Sequence, residues 1–105
     1  MKSIIGILSF DPNTDAAASF QYLGNDVITP PIVWSHDTLD AGRHIGTLAG
    51  TFTTGTTGRT GTFIAGNAMT IEGSASGDEV IVQLWDATGV GYEAGFSTLI
   101  EIVIP

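Results

Sequence analysis

The chain has 105 residues, of which 43% are hydrophobic and 13% are charged, and it contains no cysteine. This length predicts a single domain, and the missing cysteines exclude disulfide frameworks, thiolate metal sites and cysteine nucleophiles. Eleven acidic residues oppose three basic ones, so the formal net charge is −8. Because nucleic-acid affinity depends on Lys and Arg that displace counterions from phosphates, we expect no nucleic-acid partner.

Short runs rich in Ile, Val, Thr and aromatic residues follow one another along the chain, separated by turn residues such as Asp-Pro-Asn and Ser-Gly-Asp. The runs occupy residues 3–10, 26–34, 46–53, 60–65, 68–72, 79–85 and 98–104. About seven short strands at this spacing predict an all-β fold, an antiparallel β-sandwich that spans residues 1–105 as one domain.

The N-terminal segment MKSIIGILSF contains one basic residue and an apolar run, residues 4–8. A signal peptide requires a longer apolar region followed by a small-residue cleavage site, and a membrane-spanning helix requires about 20 apolar residues. We therefore expect neither a leader nor membrane insertion.

The segment DPNTD that follows has the D-x-N-x-D pattern that opens a calcium-binding loop. Asp11, Asn13 and Asp15 would supply the first oxygen ligands of such a loop. An EF-hand also requires glycine at its sixth position and glutamate at its twelfth, where this chain has Ala16 and Tyr22. The EF-hand is therefore excluded. A looser calcium site and an Asp-Pro turn remain open, and the sequence favours the turn.

The segment TDAAASFQYL, residues 14–23, fits two structures. A short helix would be capped by Thr14 and ended by Gly24, with apolar residues recurring at i, i+4 and i+7. A strand over residues 19–23 accounts for the aromatic residues equally well. The sequence leaves both structures open.

A second polar cluster, SHDTLDAGRH, contains both histidines of the chain. Its candidate metal ligands are His36, Asp37, Asp40 and His44. These side-chain types bind metals, but their spacing matches no closed zinc site. Because a solvated surface loop explains the same residues, the sequence favours such a loop, and we expect no cofactor.

The stretch TFTTGTTGRTGTF is rich in threonine and glycine. It has the glycine spacing of a phosphate-binding loop, but Thr56 stands where that loop needs its lysine, so a phosphate site is disfavoured. Threonine suits strands, and glycine permits a turn. The stretch therefore predicts a hairpin in which residues 48–54 turn through residues 55–59 into residues 60–65, with Arg59 near the tip.

The sequence contains no nucleophile elbow G-x-S-x-G, and no pair of a base with a nucleophile rises above chance, so we expect no enzyme. Two tryptophans and two tyrosines would form a sugar-stacking platform if they were exposed. They are Trp34, Trp85, Tyr22 and Tyr92. The sequence favours core packing for them, because aromatic side chains bury large areas.

The second half of the chain carries several short motifs in a fixed order: TG…GTF, then TI-x-G, then VQLWDATGVGYEAG over residues 82–95. This order resembles a small all-β domain of exported proteins from environmental bacteria, many of which carry a PEP-CTERM sorting tail. The resemblance covers residues 51–105 and implies a location on an outer surface, in a family with no established catalysis. The chain shows neither the signal peptide nor the sorting tail of that family, so we do not expect its export and anchoring functions.

Two functional expectations follow. The first is a non-enzymatic structural protein of the virion, specifically a bacteriophage capsid decoration (cement) protein or related surface subunit, which contacts copies of itself and a larger assembly. Strands that are apolar on both faces would form these contacts. The candidate interface residues are Arg59, Trp34, Ile100, Ile102 and Ile104. The alternative is an exported-type module at the cell surface or outside the cell that binds carbohydrate or calcium.

Overall fold

The computed structural model describes residues 2–14, 17–23, 31–37, 39–60 and 67–105. Within these ranges lie the strands β1 (Lys2–Phe10), β2 (Ser19–Tyr22), β3 (Val33–His36), β4 (Arg43–Thr47), β5 (Thr57–Thr60), β6 (Ala68–Gly73), β7 (Glu79–Trp85) and β8 (Phe96–Ile104). All their pairings are antiparallel. They form a first sheet in the order β2-β1-β8-β5 and a second sheet in the order β3-β4-β7-β6. The predicted all-β antiparallel sandwich is confirmed, with one more strand than expected.

The core lies between the two sheets and follows the period-two alternation of side chains along strands. β1 and β8 pair along their whole length, from Lys2↔Ile104 to Phe10↔Phe96. Alternate residues of these strands, and of β7 in the second sheet, point inward. The fully buried apolar ones are Ile4, Leu8, Val80, Val82, Leu84, Ile100 and Ile102.

The predicted interface role of Ile100, Ile102 and Ile104 is wrong. Their side chains are 1%, 0% and 7% exposed and belong to the core of the domain itself. The opposite register of β8 carries the residues that reach the outer surface, among them Leu99 and Val103. Leu99 and Val103 make the outer register partly apolar as well, so the sequence did not clearly distinguish the buried face from the exposed one, although Glu101 stands only on the exposed face.

The helix considered for residues 14–23 is wrong, because residues 19–22 form strand β2. This strand pairs with β1, placing Phe20 opposite Leu8. Phe20 and Tyr22 both pack against the core, as residues two apart do in a strand. No described residue lies in a helix, so the described ranges contain no helix that could cross a membrane.

The run at residues 46–53 is mostly a turn segment rather than a strand. Strand β4 ends at Thr47, and the next residues dock onto the β6–β7 hairpin through backbone hydrogen bonds. The N–H of Phe52 donates to Gly77 O at 2.9 Å, and the N–H of Leu48 donates to Asp78 O at 2.9 Å. This docking carries the Phe52 side chain into the core, where it is fully buried.

The hairpin predicted around residues 55–59 is also wrong. Residues 57–60 form β5, which pairs with β8 from Thr57↔Val103 to Thr60↔Ile100. Arg59 therefore lies within a strand, and residues 61–66 fall outside the described ranges. Gly58 faces the other sheet, and a Cβ atom added to it would lie 2.5 Å from Ile71 Cδ1. This glycine permits close packing of the two sheets.

Replacing Gly58 with alanine is expected to destabilise the fold by about 1–3 kcal/mol, because the new methyl group overpacks the space that Ile71 occupies. Chemical denaturation of the purified chain measures the change. Thr57→Ala, at the adjacent and exposed position of the same strand, is the control and is expected to change stability by less than about 0.5 kcal/mol. Equal effects of the two substitutions would contradict close packing at Gly58.

Candidate functional site

The first predicted metal segment forms a turn. Asp11 Oδ1 accepts a hydrogen bond from the N–H of Asn13 at 2.9 Å, and Asp11 O accepts one from the N–H of Thr14 at 3.2 Å. This arrangement is the Asx turn that the Asp-Pro-Asn sequence favours. Asp15, the third candidate ligand of the segment, lies outside the described residues.

The second predicted metal segment is split between two faces of the β3–β4 hairpin. His36 and His44 are cross-strand partners whose stacked rings have centroids 5.0 Å apart. Asp37 and Asp40 instead approach the guanidinium of Arg43, at 4.0 and 3.2 Å. Within the described ranges, no group of three or more His, Asp or Glu side chains is arranged to hold a metal ion. The surface loop expected for both histidines is wrong, since they lie in strands.

The histidine pair packs inside one end of the sandwich, against aromatic rings. The centroid of the Phe10 ring lies 4.7 Å from the centroids of both His36 and His44. His44 is 1% exposed, and its Nδ1 atom is buried without a hydrogen-bond partner. Burial, and to a smaller extent the neighbouring His36, lower the pKa of His44 from 6.5 to about 4, although Glu93 acts in the opposite direction. His44 is therefore neutral at pH 7.

Glu93, in the loop between β7 and β8, contacts both His36 and the loop between β3 and β4. Its Oε2 atom lies 2.9 Å from His36 Nε2, at ion-pair distance but without the alignment of a regular hydrogen bond. Its Oε1 atom accepts a hydrogen bond from the N–H of Gly42. Gly42 adopts φ +81°, and a Cβ atom added to it would lie 2.3 Å from Leu84 O. Glycine is therefore required where the β3–β4 loop meets the end of β7.

The outer surface of the first sheet is apolar at its centre. We define the apolar outer face by Ile5, Ile7, Leu99 and Val103, which point away from the core on β1 and β8. Leu99 is 45% exposed, and the other three are partly buried. A depression of about 270 Å³ lies beside Ile5 and Leu99.

One ion pair borders the apolar outer face. Arg59 Nη1 on β5 lies 3.7 Å from Glu101 Oε1 on β8, and the two residues are cross-strand partners. Among the outward-facing strand positions that the structure describes on this sheet, these two residues alone are charged. The face is therefore electrically neutral, in contrast to the chain as a whole.

The outer surface of the second sheet contains a polar cleft of about 330 Å³. We define the polar cleft by Asp40, Arg43, Thr70, Glu72, Gln83 and Trp85. Arg43, Gln83 and Thr70 stand side by side on adjacent strands, since Gln83 of β7 pairs with both of the others. Arg43 Nε donates to Gln83 Oε1 at 3.2 Å, so the centre of the cleft is held in place by cross-strand hydrogen bonding.

Two loops form the end wall of the polar cleft. The β3–β4 loop is tied to β7 because Gln83 Nε2 donates to Ala41 O at 2.8 Å. In the β7–β8 loop, Asp86 Oδ1 accepts hydrogen bonds from the hydroxyl and N–H of Thr88 and from the N–H of Val90. These bonds lower the pKa of Asp86, with the Thr88 hydroxyl contributing most. The carboxylate thus fixes a loop that leads to the cleft.

The two tryptophans do not form one platform. Trp34 on β3 points inward, where its ring packs against Phe20 at a centroid distance of 5.7 Å and its Nε1 atom is buried without a partner. Trp85 on β7 points outward and lines the polar cleft. Core packing, the structure favoured by the sequence, is therefore confirmed for Trp34, although this residue is only partly buried, and it fails for Trp85. The interface role expected for Trp34 stays a prediction.

Comparisons of the chain with protein-family models, curated proteins and solved structures found no match.

Most residues of both surfaces were not predicted from the sequence. Leu99, Ile5 and Ile7 lie in runs that carry large apolar residues in both registers, which gave no clear signal for their outward direction. Arg43, Glu72 and Gln83 come from three strands, and their proximity depends on the pairing of β4, β7 and β6. One signal for the polar cleft was present in the sequence of β7. Gln83 is a polar residue within the otherwise apolar run from Ile81 to Trp85, which indicates that its side of the strand is exposed.

Proposed function

We propose that this chain is a non-enzymatic assembly protein whose copies associate through the apolar outer face of the first sheet. The distribution of charge gives the strongest support. The chain carries a net charge of −8, whereas the described strand positions of this face hold one cation and one anion. Because like-charged copies repel each other, their approach costs least where two neutral faces meet.

The apolar outer face is also chemically complementary to itself. A two-fold contact places the same patch of both copies together, so residue i meets residue j and residue j meets residue i. Leu99 and the isoleucines of β1 would then be removed from water, which favours association. The same symmetry allows Arg59 of one copy to approach Glu101 of the other, adding orientation to an apolar contact.

Leu99→Asp is expected to weaken this association by roughly tenfold or more, because each copy then brings an unpaired carboxylate into an apolar contact. Sedimentation velocity over a range of protein concentrations measures the association constant. Leu39→Asp is the matched control, since it adds the same charge at a leucine that is 92% exposed in the β3–β4 loop. The control is expected to associate as the original chain does. Dissociation by Leu39→Asp alone would place the contact elsewhere.

Within the assembly class, the finer assignment is a virion surface subunit of the capsid-decoration type. A sandwich with one neutral, apolar face and an otherwise acidic chain suits a protein that acts through shape and symmetric contact. Such a subunit is present in purified particles in a fixed ratio to the major capsid protein. The resemblance of residues 51–105 to an exported domain supports the alternative location on a cell surface. Absence from particles would remove the virion assignment and leave the test of self-association unchanged.

A further inference from the structure

The polar cleft has a composition that the assembly function does not require. It lies on the outer surface of the second sheet, whereas the apolar outer face belongs to the first sheet. Its volume of about 330 Å³ lies at the small end of the range for ligand sites, roughly 300–1,000 Å³. The cleft is therefore large enough for a small ligand and is independent of the proposed contact between copies.

Hydrogen-bonding groups of several kinds converge in the polar cleft. Asp40 and Glu72 supply carboxylate acceptors, Arg43 supplies guanidinium donors, and Gln83 supplies an amide that contains both. The side chains of Asp40 and Arg43 remain 57% and 37% exposed even though they form an ion pair. They therefore keep donors and acceptors available to a ligand. A ligand that matches this set must itself carry both donors and acceptors, as hydroxyl groups do.

The polar cleft also has an apolar side. Trp85 and Ile81 point outward from β7 on either side of Gln83, and both are partly exposed. An indole ring offers a large, flat apolar surface with a polar edge. The C–H faces of a sugar ring match such a surface, while the hydroxyl groups at the edge of the sugar reach the polar side chains.

The charges in the polar cleft select among small polar ligands. Two carboxylates, Asp40 and Glu72, oppose anionic ligands such as phosphates or sulfated sugars. The guanidinium of Arg43, held at the centre of the cleft by Asp40 and Gln83, offsets one of these two charges and opposes a cationic group at the centre of the cleft. A neutral polyhydroxylated ring satisfies both restrictions.

From this arrangement we infer that the polar cleft is a binding site for neutral carbohydrate, with Trp85 as the stacking surface and Arg43, Glu72 and Gln83 as hydrogen-bonding groups. Binding involves no covalent step. It is expected to be unaffected by Leu99→Asp, so the carbohydrate site and the proposed self-association can fail separately.

Isothermal titration calorimetry with a panel of sugars tests this inference. The neutral sugars are glucose, galactose, mannose, xylose, N-acetylglucosamine and their disaccharides. Glucosamine and a sulfated disaccharide are the charged sugars for comparison. At least one neutral sugar is expected to bind with a dissociation constant in the millimolar range or tighter, and Trp85→Ala and Glu72→Ala are each expected to weaken binding by roughly tenfold. Glu79→Ala, at an outward position of β7 away from the cleft, is the matched control and is expected to change affinity by less than about twofold.

Three outcomes would overturn the inference. They are the absence of binding by all neutral sugars at millimolar concentration, a preference for the amino or sulfated sugar, and binding that Glu72→Ala leaves unchanged. Glu72 is exposed at the surface of β6, so its replacement tests the site even if Trp85→Ala fails to fold. The melting temperature of each variant shows whether it has folded.

Discussion

Phe52→Ala is expected to lower the free energy of unfolding by about 3–5 kcal/mol, the largest effect of any substitution considered for this chain. Phe52 is the largest fully buried side chain among the described residues, and it enters the core from a turn segment outside the strands. Removing its ring leaves a cavity between the two sheets. A domain of this size has a total stability of roughly 5–15 kcal/mol, so the variant is expected to be close to unfolding at 37 °C.

Chemical denaturation of Phe52→Ala and of Thr53→Ala measures this effect. Thr53 is the next residue in the same segment and is exposed, so its replacement controls for changes in the turn itself. The control is expected to retain the stability of the original chain within about 0.5 kcal/mol. A loss of less than about 1 kcal/mol in Phe52→Ala would show that the turn segment does not fill the core.

The second large effect is a loss of stability on acidification, caused by His44. Its pKa is about 4 in the folded chain, against 6.5 for an ordinary histidine. As the pH falls below about 6.5, the unfolded chain takes up a proton on this residue and the folded chain does not, so stability decreases. The decrease continues until the pH reaches the folded pKa near 4. A difference of this size corresponds to about 2–3 kcal/mol after allowance for solvent screening.

The contribution of His44 can be separated from that of the eleven acidic residues by comparing the chain with His44→Gln. Glutamine does not titrate, while the carboxylates, including Glu93, and the neighbouring His36 remain in both proteins. The variant is expected to be the less stable of the two at pH 7, because it loses ring packing with Phe10, His36 and Phe96. The difference in the free energy of unfolding between the two proteins is expected to decrease by about 2–3 kcal/mol between pH 7 and pH 4. A difference that does not depend on pH would show that His44 titrates normally in the folded chain.

Much of the fold could be predicted from local pattern. The strands at residues 79–85 and 98–104 were predicted within two residues of their observed bounds, because β-branched residues fill them and turn residues flank them. The prediction of strands failed where residue types that favour strands lie in a turn. Thr51 and Phe52 favour strands, but a left-handed Gly50 and its hydrogen bond to Asp78 make their segment a turn.

The glycine-rich stretch failed for a related reason. Glycine permits turns, but it also permits close approach of two sheets, and sequence alone does not separate these uses. At Gly58 the neighbour that decides between them is Ile71, on a strand of the other sheet. The histidines were misplaced in the same way, since the polar residues around them suggested a loop while their cross-strand pairing directs both rings inward.

The candidate sites were less predictable than the fold because they depend on register and on pairing between distant strands. In the structure Leu99 is exposed and Ile100 is buried. A shift of one residue in the register of β8 would reverse these two positions, and the sequence does not decide between them because both side chains are apolar. The polar cleft joins residues from β4, β6 and β7, and the hydrogen bond between Gln83 and Ala41 at its end wall spans 42 positions of the chain. Trp85 was singled out by its residue type, but its outward direction became evident only from the sheet.

The central proposal is that the chain associates with itself through a neutral apolar face. Its most direct test is the sedimentation of the unmodified chain at several protein concentrations. We expect the mass to rise from 10.9 kDa to a multiple of that value as concentration increases. The association is expected to strengthen at about 1 M salt, because screening reduces the repulsion between copies of net charge −8 while leaving the apolar contact intact. A mass of 10.9 kDa at every concentration and both salt levels would contradict the proposal.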